Sequence, residues 1–454
     1  MTELLSIGQD AIKTIKSHGC EGEIYFDHDY SKSMTLQRGQ MKNSEIFDII
    51  GYAIRVKKGD KSTFICSTNL QNIDNVIQQA VESLKFVPEN PGLAFTENIA
   101  QKPKTDKFFD KRILDIEMDD VIDKLQAMNN QSENVQHLQS FSASYGLSLT
   151  TKYILNTNGL EISDRQTNYG YYGSCNLIDG DIVASGSEGK YSHKLENIDT
   201  DFIAQEAIRK SKTQLIKETL PTGDYPVILH PHAVGELLGW TLPPALAGDQ
   251  ILVKNSPFID SMGDQIGSEI LNIYDDPISL NFRNSLFDDE GTVRTNPLPI
   301  IENGVLKTFI HSNRTAKVMG TESTANAYHW NRYEGHSYRH DISVVPTTFK
   351  IQPGTESIES MIEDIKHGLI VDYVFGAHSS EIANGNYSVV AYLANIIKNG
   401  EIGPSPHKAM LPGNTPALLK NISAISKEWL PDISSWNYSI TSPYLYFDTM
   451  KVIG

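Results

Sequence analysis

Long strand-like segments that end in tight-turn signals constrain the fold of this chain most. They extend from about residue 137 to residue 178, and the turn signals lie at residues 156–159 (Asn-Thr-Asn-Gly) and 179–181 (Asp-Gly-Asp). Asn-Gly and Asp-Gly pairs favour two-residue hairpin turns, in which both central residues adopt positive φ angles. Because hairpins join antiparallel strands, this region is predicted to form antiparallel β-structure.

Helical periodicity surrounds these strands. Apolar residues at helical spacing predict helices at residues 4–18, 70–84 and 202–215 and from about Asp119, while shorter segments at 23–26, 33–38 and 49–57 predict strands. Helices and hairpins mix without the regular βαβ alternation of a doubly wound sheet. The predicted fold class is therefore α+β.

The length of the chain predicts more than one domain. At 454 residues it exceeds the size at which a single hydrophobic core stops growing. The residues Pro221, Thr222, Gly223 and Asp224 mark a boundary, after which strands and Asn-Gly turns dominate. We expect an N-terminal α+β domain of helices and antiparallel strands at residues 1–221. A β-rich C-terminal domain is expected at residues 222–454.

The charge of the chain disfavours nucleic-acid partners. It carries 39 basic and 56 acidic residues, a formal charge of −17. Binding to nucleic acid depends largely on Lys and Arg that neutralise phosphates, and the longest basic run is only residues 55–58. No direct contact with nucleic acid is therefore expected.

Cysteine usage and hydropathy predict a cytoplasmic protein. Cys20, Cys66 and Cys175 are too widely spaced to form a disulfide framework. The first residues run straight into a polar helix pattern without an apolar leader. The most apolar stretches, such as residues 388–397, are far shorter than the roughly 20 residues that a membrane helix needs. No membrane association is expected.

A strand that leads into a helix near residue 230 carries one candidate metal site. The signatures of serine hydrolases, P-loops and dinucleotide-binding folds are absent from the sequence. Pro231 lies near the helix start, where its missing N–H costs nothing, and His232 and Glu236 then share one helix face. With His230 they offer three candidate zinc ligands. The alternative is that His232 caps the helix or hydrogen-bonds near its start and that Glu236 is solvated.

A second candidate cluster lies between residues 329 and 340. His329, Arg332, His336 and His340, together with Trp330, are candidates for lining a pocket or peptide tunnel. The alternative is an exposed aromatic-rich loop that leads into a strand. The acidic run at residues 288–290 has two interpretations as well, a cation site or a charged turn.

Seven short motifs, in order, resemble those of the TldD/PmbA family of metallopeptidases. They are GYAIRV at 51–56, FDDEGT at 287–292, IENGVLK at 301–307, RTAKVMG at 314–320, GNYS at 385–388, IKNGEI at 397–402 and GN at 413–414. Each motif alone is weak, but the shared order and spacing over the whole chain are specific.

The resemblance implies a two-domain α+β subunit that pairs into a dimer around a tunnel. In heterodimeric forms of the family, the TldD-type subunit is a zinc peptidase that takes unfolded polypeptide as an added strand. The partner subunit, PmbA or TldE, lacks the zinc motif. This chain is then expected to pair with a TldD-like subunit or with a second copy of itself.

The family's zinc motif is not intact in this chain. The resemblance implies zinc on two histidines of an HExxxH helix and on a cysteine near the C-terminus. Alignment through residues 233–235 puts Pro231 and His232 in place of His-Glu, and Glu236 in place of the second histidine. No cysteine follows Cys175, and residues 438–441 offer only hydroxyls. No catalytic residue is assigned and no cofactor is expected, although zinc on the rearranged set His230, His232 and Glu236 stays possible.

These observations predict a PmbA/TldE-like subunit of a metallopeptidase that acts on unfolded peptides, without a zinc site of its own. Two alternatives stay open. One is an active zinc metallopeptidase with rearranged ligands. The other is a non-enzymatic modulator of DNA gyrase, a name that this family often carries, and its route would be protein–protein contact.

Overall fold

The computed structural model describes residues 2–99, 102–103, 106–278, 285–430 and 440–454. The first half contains four helices among these residues: α1 (Thr2–Ser17), α2 (Ile73–Ser83), α3 (Met118–Asn130) and α4 (Thr200–Thr213). Its sheet is formed by β1 (Glu21–Gln37), β2 (Gln40–Lys58), β3 (Lys61–Ser67), β4 (Leu138–Asn156), β5 (Glu161–Asp179) and β6 (Ile182–Ser192).

This N-terminal sheet is antiparallel throughout, as the turn signals predicted. Its strand order is β3-β2-β1-β4-β5-β6. The prediction of separate strands at 23–26 and 33–38 was wrong, because both segments belong to β1. Polar residues between them stay in the strand since β1 is paired on both sides, with β2 and with β4.

The turns differ in detail from the predicted hairpin geometry. At residues 156–159 only Gly159 has a positive φ, and the Asn156 side chain holds the turn by accepting hydrogen bonds from the backbone N–H groups of Asn158 and Leu160. At the Asp-Gly turn only Gly180 has a positive φ. The Asn303–Gly304 turn, in contrast, has both residues at positive φ.

The two faces of the N-terminal sheet have different partners. On β1, Ile24 and Phe26 pack with α1 and α2 in one apolar cluster, and α3 and α4 cover the same sheet further along. Tyr25, which points the other way, packs instead with Phe287 from the second half of the chain. The alternation along β1 thus places helices on one face and the rest of the protein on the other.

The second half is rich in strands, as predicted. The strands are β7 (Lys217–Glu218), β8 (Gly223–Leu229), β9 (Ile273–Asp275), β10 (Leu298–Glu302), β11 (Val305–Leu306), β12 (Ala327–Asn331), β13 (Gly335–His336), β14 (Ile342–Val344), β15 (Phe349–Ile351), β16 (His367–Phe375), β17 (Asn386–Lys398), β18 (Glu401–Ile402), β19 (Ser405–Pro406), β20 (Met410–Asn414), β21 (Ala424–Leu430) and β22 (Ile440–Val452). The helices are α5 (Pro231–Ala245), α6 (Gly248–Leu252), α7 (Asn313–Met319), α8 (Ile358–Glu363) and α9 (Thr415–Lys420).

The main sheet of this half is mixed and supports α5. Its strand order is β11-β10-β9-β15-β22-β8-β16-β17-β18, with β8 parallel to β16 and antiparallel to β22. Helix α5 is almost wholly buried and joins the largest apolar cluster of the described chain through residues such as Leu237 and Leu238. Strand β8 of this sheet leads directly into α5 and therefore positions the start of the helix.

The predicted domain boundary at 221/222 lies between β7 and β8. Strand β7 pairs in parallel with β19, so a strand that precedes residue 222 already pairs with a strand of the region after it. The two-domain division stays a prediction. Of the helices that the structure describes, none is both long enough and apolar enough to span a membrane.

Candidate functional site

Charged side chains line the face of the N-terminal sheet that points away from its helices. Glu23 and Asp27 lie on β1, Arg55 on β2 and Lys152 on β4, and all four are buried. They alternate along their strands with apolar residues that pack against the helices. Sequence reasoning missed this set, and the signal it left was single charged residues that lie next to apolar residues within otherwise apolar strands.

Arg55 joins this face to the acidic run at residues 288–290. Its guanidinium donates to Glu23 Oε1 through Nη2 (2.6 Å) and to Glu290 Oε1 through Nη1 (2.8 Å). Glu290 Oε2 also accepts from the backbone N–H of Asn313 (2.8 Å). Burial raises the pKa of Glu23 to about 7, although the charge of Arg55 opposes the shift. One arginine thus connects β1, β2 and the second half of the chain.

Asp289 forms the second connection. It accepts from Lys152 Nζ (3.1 Å) and from His336 Nε2 (2.8 Å), and its Oδ2 also accepts from the backbone N–H of His329 (3.0 Å). Burial opposes ionisation, but Lys152 and His336 hold the pKa of Asp289 well below its usual value. Asp289 is therefore ionised at neutral pH.

The acidic run is neither an exposed turn nor an open cation site. Asp288, Asp289 and Glu290 are all fully buried. Asp288 accepts from the backbone N–H groups of Glu290 and Thr292, which closes the turn on itself. The run does form a charged turn, but the turn is buried, because Lys152 on β4 compensates Asp289 and Arg55 on β2 compensates Glu290.

Asp27 lies on the same face as these residues but does not take part in their hydrogen bonds. Its two carboxylate oxygens are buried and have no hydrogen-bond partner among the described residues. The nearest charged group is His336, with Nδ1 at 4.0 Å. Burial raises the pKa of Asp27 to about 7, and His336 opposes the shift. The cost of leaving this carboxylate unpaired makes it a titratable group near neutral pH.

The structure separates the four pocket candidates of the 329–340 segment. His336 lines a cavity of about 540 Å³ together with Tyr25, Lys152 and Asp289. His329 is buried, and its Nδ1 donates to the carbonyl of His340 (2.7 Å).

The other two candidates point elsewhere. Arg332 lies over the ring of Trp240 on α5, with its Nη2 donating to the Trp240 carbonyl (3.2 Å). His340 Nε2 is 3.3 Å from Glu334 Oε2. Of the four candidates only His336 is placed at this cavity, and a role in peptide binding stays a prediction for all of them.

The start of α5 has the predicted strand-to-helix geometry. Pro231 occupies the first helical turn, and His230 is the residue before it. His230 Nδ1 accepts a hydrogen bond from the backbone N–H of His232 (3.1 Å), so the imidazole caps the helix. Its ring also stacks on that of His232 at 5.1 Å. The helix cap is therefore His230 and not His232, which lies two residues later.

Glu236 is buried, so the alternative of a solvated glutamate was wrong. Its Oε1 accepts from Trp240 Nε1 (2.9 Å), one turn further along α5. Burial raises its pKa, while the hydrogen bond from Trp240 opposes the shift. Burial also lowers the pKa of His232 to about 4. Both residues line a cavity of about 400 Å³.

These donors do not fit a zinc site in the arrangement observed. His230 accepts at Nδ1, so its proton lies on Nε2, whereas a ligating nitrogen must be unprotonated. Within the described ranges, no three His, Cys, Asp or Glu side chains are grouped so that they could hold a metal ion. Zinc on His230, His232 and Glu236 would require His230 to change tautomer and to give up the helix cap. The metal assignment stays a prediction.

Substitution of His230 separates capping from metal binding. Asparagine caps helices well and alanine does not, so His230→Ala is expected to be about 1 kcal/mol less stable than His230→Asn. Urea unfolding of the two variants measures the difference. Equal stability of the two, with zinc lost from both, would show that the imidazole is a ligand and not a cap.

Sequence models of one family match three parts of the chain. Residues 22–84 match domain 1, residues 111–215 the central domain and residues 222–454 the C-terminal domain of PmbA/TldA metallopeptidases. The domain matches follow the chain in the order that the motifs predicted, and together they span most of it.

Individual proteins and solved structures agree with these matches. A metalloprotease of Methanocaldococcus jannaschii is 27% identical over 433 residues, which cover 92% of each chain. TldE from Thermococcus kodakarensis has a TM-score of 0.85 at 25% identity, over 99% of this chain and 100% of its own. A proposed modulator of a DNA gyrase from Thermotoga maritima has a TM-score of 0.86 at 21% identity, over 100% of both chains. The predicted family is therefore confirmed, and the chain belongs to the PmbA/TldD metallopeptidase family.

Proposed function

We propose that this chain is the TldE-like, non-hydrolytic subunit of a TldD/PmbA-type peptidase. In this role it binds unfolded polypeptide and supports cleavage by a TldD-like partner, without a zinc ion of its own. The family is metallopeptidase-type, and the likeness to TldE covers nearly the whole chain. We thus propose three points: the subunit role, the absence of a zinc ion and the peptide substrate.

The start of α5 is the single observation that carries the proposal. A zinc peptidase needs three protein ligands and a water that a general base activates. Here the first helical residue is Pro231, which offers no ligand, and the imidazole of His230 is engaged as the helix cap. The carboxylate of Glu236 is engaged by Trp240. Two of the three candidate ligands, His230 and Glu236, are thus used for the internal structure of the helix, which leaves His232 as the third.

The cysteine positions support the same conclusion. Cys20, Cys66 and Cys175 all belong to the first half of the chain, so the segment after α5 has no thiolate to offer. Burial raises the pKa of Cys175, which keeps it a neutral thiol.

A reconstitution assay tests the proposal. The full chain, a TldD-like subunit and a 1:1 mixture are each incubated with an unfolded fluorogenic polypeptide. We expect no cleavage by this chain alone and faster cleavage by the mixture than by the partner alone. Cleavage by this chain alone would overturn the proposal, as would a mixture that is no faster than the partner.

An active zinc enzyme is the second candidate, because His232 and Glu236 still share a cavity. It requires the tautomer change described above and a base from elsewhere. Nothing in the described residues favours the gyrase alternative, since the Thermotoga likeness at 21% identity shows the fold alone.

A further inference from the structure

The cavity of about 400 Å³ around His232 and Glu236 has the size of a ligand site. It lies between the two halves of the chain. Its walls come from β5, β6 and α4 on one side and from α5, β16 and β17 on the other.

The charge of this cavity is negative. Lys210 Nζ is 2.8 Å from Glu188 Oε2, so these two charges compensate each other. Arg209, next to Lys210 on α4, is paired with Glu206 in the same way. Glu236 and Asp372 add two carboxylates that form no ion pair of their own among the described residues. Burial raises the pKa of both, while Lys210 and Arg209 oppose the shift at Asp372. The cavity therefore disfavours anionic ligands and favours a cation.

The remaining walls suit a cation with an apolar stem. Tyr172, Tyr373 and Tyr392 line the cavity, and the rings of Tyr373 and Tyr392 lie 6.4 Å apart at 78°. Aromatic faces attract ammonium and guanidinium groups, and they also pack against the methylene chains that carry such groups. A hydrated metal ion would make no use of these rings.

The strand beside the cavity favours a polypeptide as the source of the cation. In the described part of the chain, β6 is the last strand of the N-terminal sheet and pairs only with β5. Its residues 185–189 line the cavity. A peptide added to such an edge is held by backbone hydrogen bonds and points alternate side chains to one face.

We propose that this cavity binds the cationic side chain of a lysine or arginine in an extended polypeptide. Glu236 and Asp372 compensate its charge, and the three tyrosines enclose its stem. The inference rests on the proposed function, because it takes unfolded polypeptide to be the ligand. It adds a preference for basic residues, which the proposed function alone does not imply.

Binding of matched peptides tests the inference. The full chain is titrated into three labelled 12-residue Gly/Ser/Thr peptides that carry one central lysine, norleucine or glutamate, and fluorescence anisotropy gives each Kd. Norleucine keeps the stem of lysine and removes its charge. We expect the lysine peptide to bind on the order of tenfold tighter than the norleucine peptide, and the glutamate peptide to bind weakest.

Substitutions assign the preference to this cavity. Asp372→Asn and Glu236→Gln are each expected to reduce the lysine preference severalfold. Tyr392→Leu, at a half-exposed position where folding is insensitive to the change, is expected to reduce it about threefold. Glu401→Gln, which removes an exposed carboxylate on β18, should leave the preference intact. Thermal unfolding confirms that each variant is folded.

Three outcomes would overturn the inference. They are equal affinity for the lysine and norleucine peptides, a preference that survives both Asp372→Asn and Tyr392→Leu, and a free diamine that binds as tightly as the lysine peptide. If the parent protein shows no lysine preference but stimulates a TldD-like partner normally, this inference alone is rejected. Failure of that stimulation would reject the proposed function.

Discussion

Arg55→Met is expected to lower the free energy of unfolding by about 3–5 kcal/mol, the largest effect that we predict for a single substitution. Methionine retains the length of the side chain and removes the charge. Glu23 and Glu290, at 2.6 and 2.8 Å from the guanidinium and both buried, then lose their shared cation. The decrease in the free energy of unfolding should be greater at pH 8 than at pH 5.5, because protonation neutralises unpaired carboxylates at the lower pH.

Lys13→Met provides the matched control for Arg55→Met. Lys13 makes a single ion pair among the described residues, to Asp10 at 2.8 Å, and both side chains are more than two-thirds exposed. Exposed pairs contribute about 0–1 kcal/mol, so this variant should unfold almost as the parent protein does. Urea unfolding of the three proteins at both pH values gives the comparison. Similar small losses for the two variants would show that the Arg55 network does not hold the halves of the chain together.

Asp27→Asn is expected to gain stability relative to the parent protein as the pH rises from 5 to 8. The pKa of Asp27 is about 7 in the folded chain, whereas an unfolded aspartate titrates near pH 4. Between these values the folded state holds a proton that the unfolded state has released, so the parent loses stability as the pH rises. Above pH 7 that contribution is fully lost. Asparagine has no proton to lose, so its advantage should grow by about 3 kcal/mol over this range.

Asp123→Asn is the control for the pH effect. Asp123 is an exposed residue of α3. Its substitution should not reproduce the gain in stability with rising pH that is expected of Asp27→Asn. Thermal or urea unfolding at several pH values measures both variants. A stability difference between Asp27→Asn and the parent that stays constant with pH would contradict the account of Asp27 as an unpaired buried carboxylate.

Local signals in the sequence predicted much of the fold. The strand that leads into α5, with Pro231 in the first turn, was predictable because proline placement and helical spacing are properties of neighbouring residues. The antiparallel sheet was predictable for the same reason, from turn residues next to long strands. The split of β1 into two strands was an error, because pairing with β4 comes from residues more than 100 positions away.

The buried network could not be predicted from the sequence alone. Arg55 and Glu290 are 235 positions apart, and Lys152 and Asp289 are 137 positions apart. A charged run normally indicates solvent exposure, and only the partners show why these residues are buried. The same holds at the start of α5, where the sequence offered metal ligands or a helix cap by His232. The structure places the cap at His230, whose Nδ1 accepts from the backbone N–H of His232, and the metal assignment stays a prediction.

The zinc content of the purified full chain tests the central claim most directly. The chain is loaded with zinc, dialysed and measured by mass spectrometry beside its His232→Ala variant. The account predicts far less than one zinc per chain, with no difference between the two proteins. Near one zinc per chain, lost on His232→Ala while the variant stays folded, would contradict it and establish a rearranged metallopeptidase site.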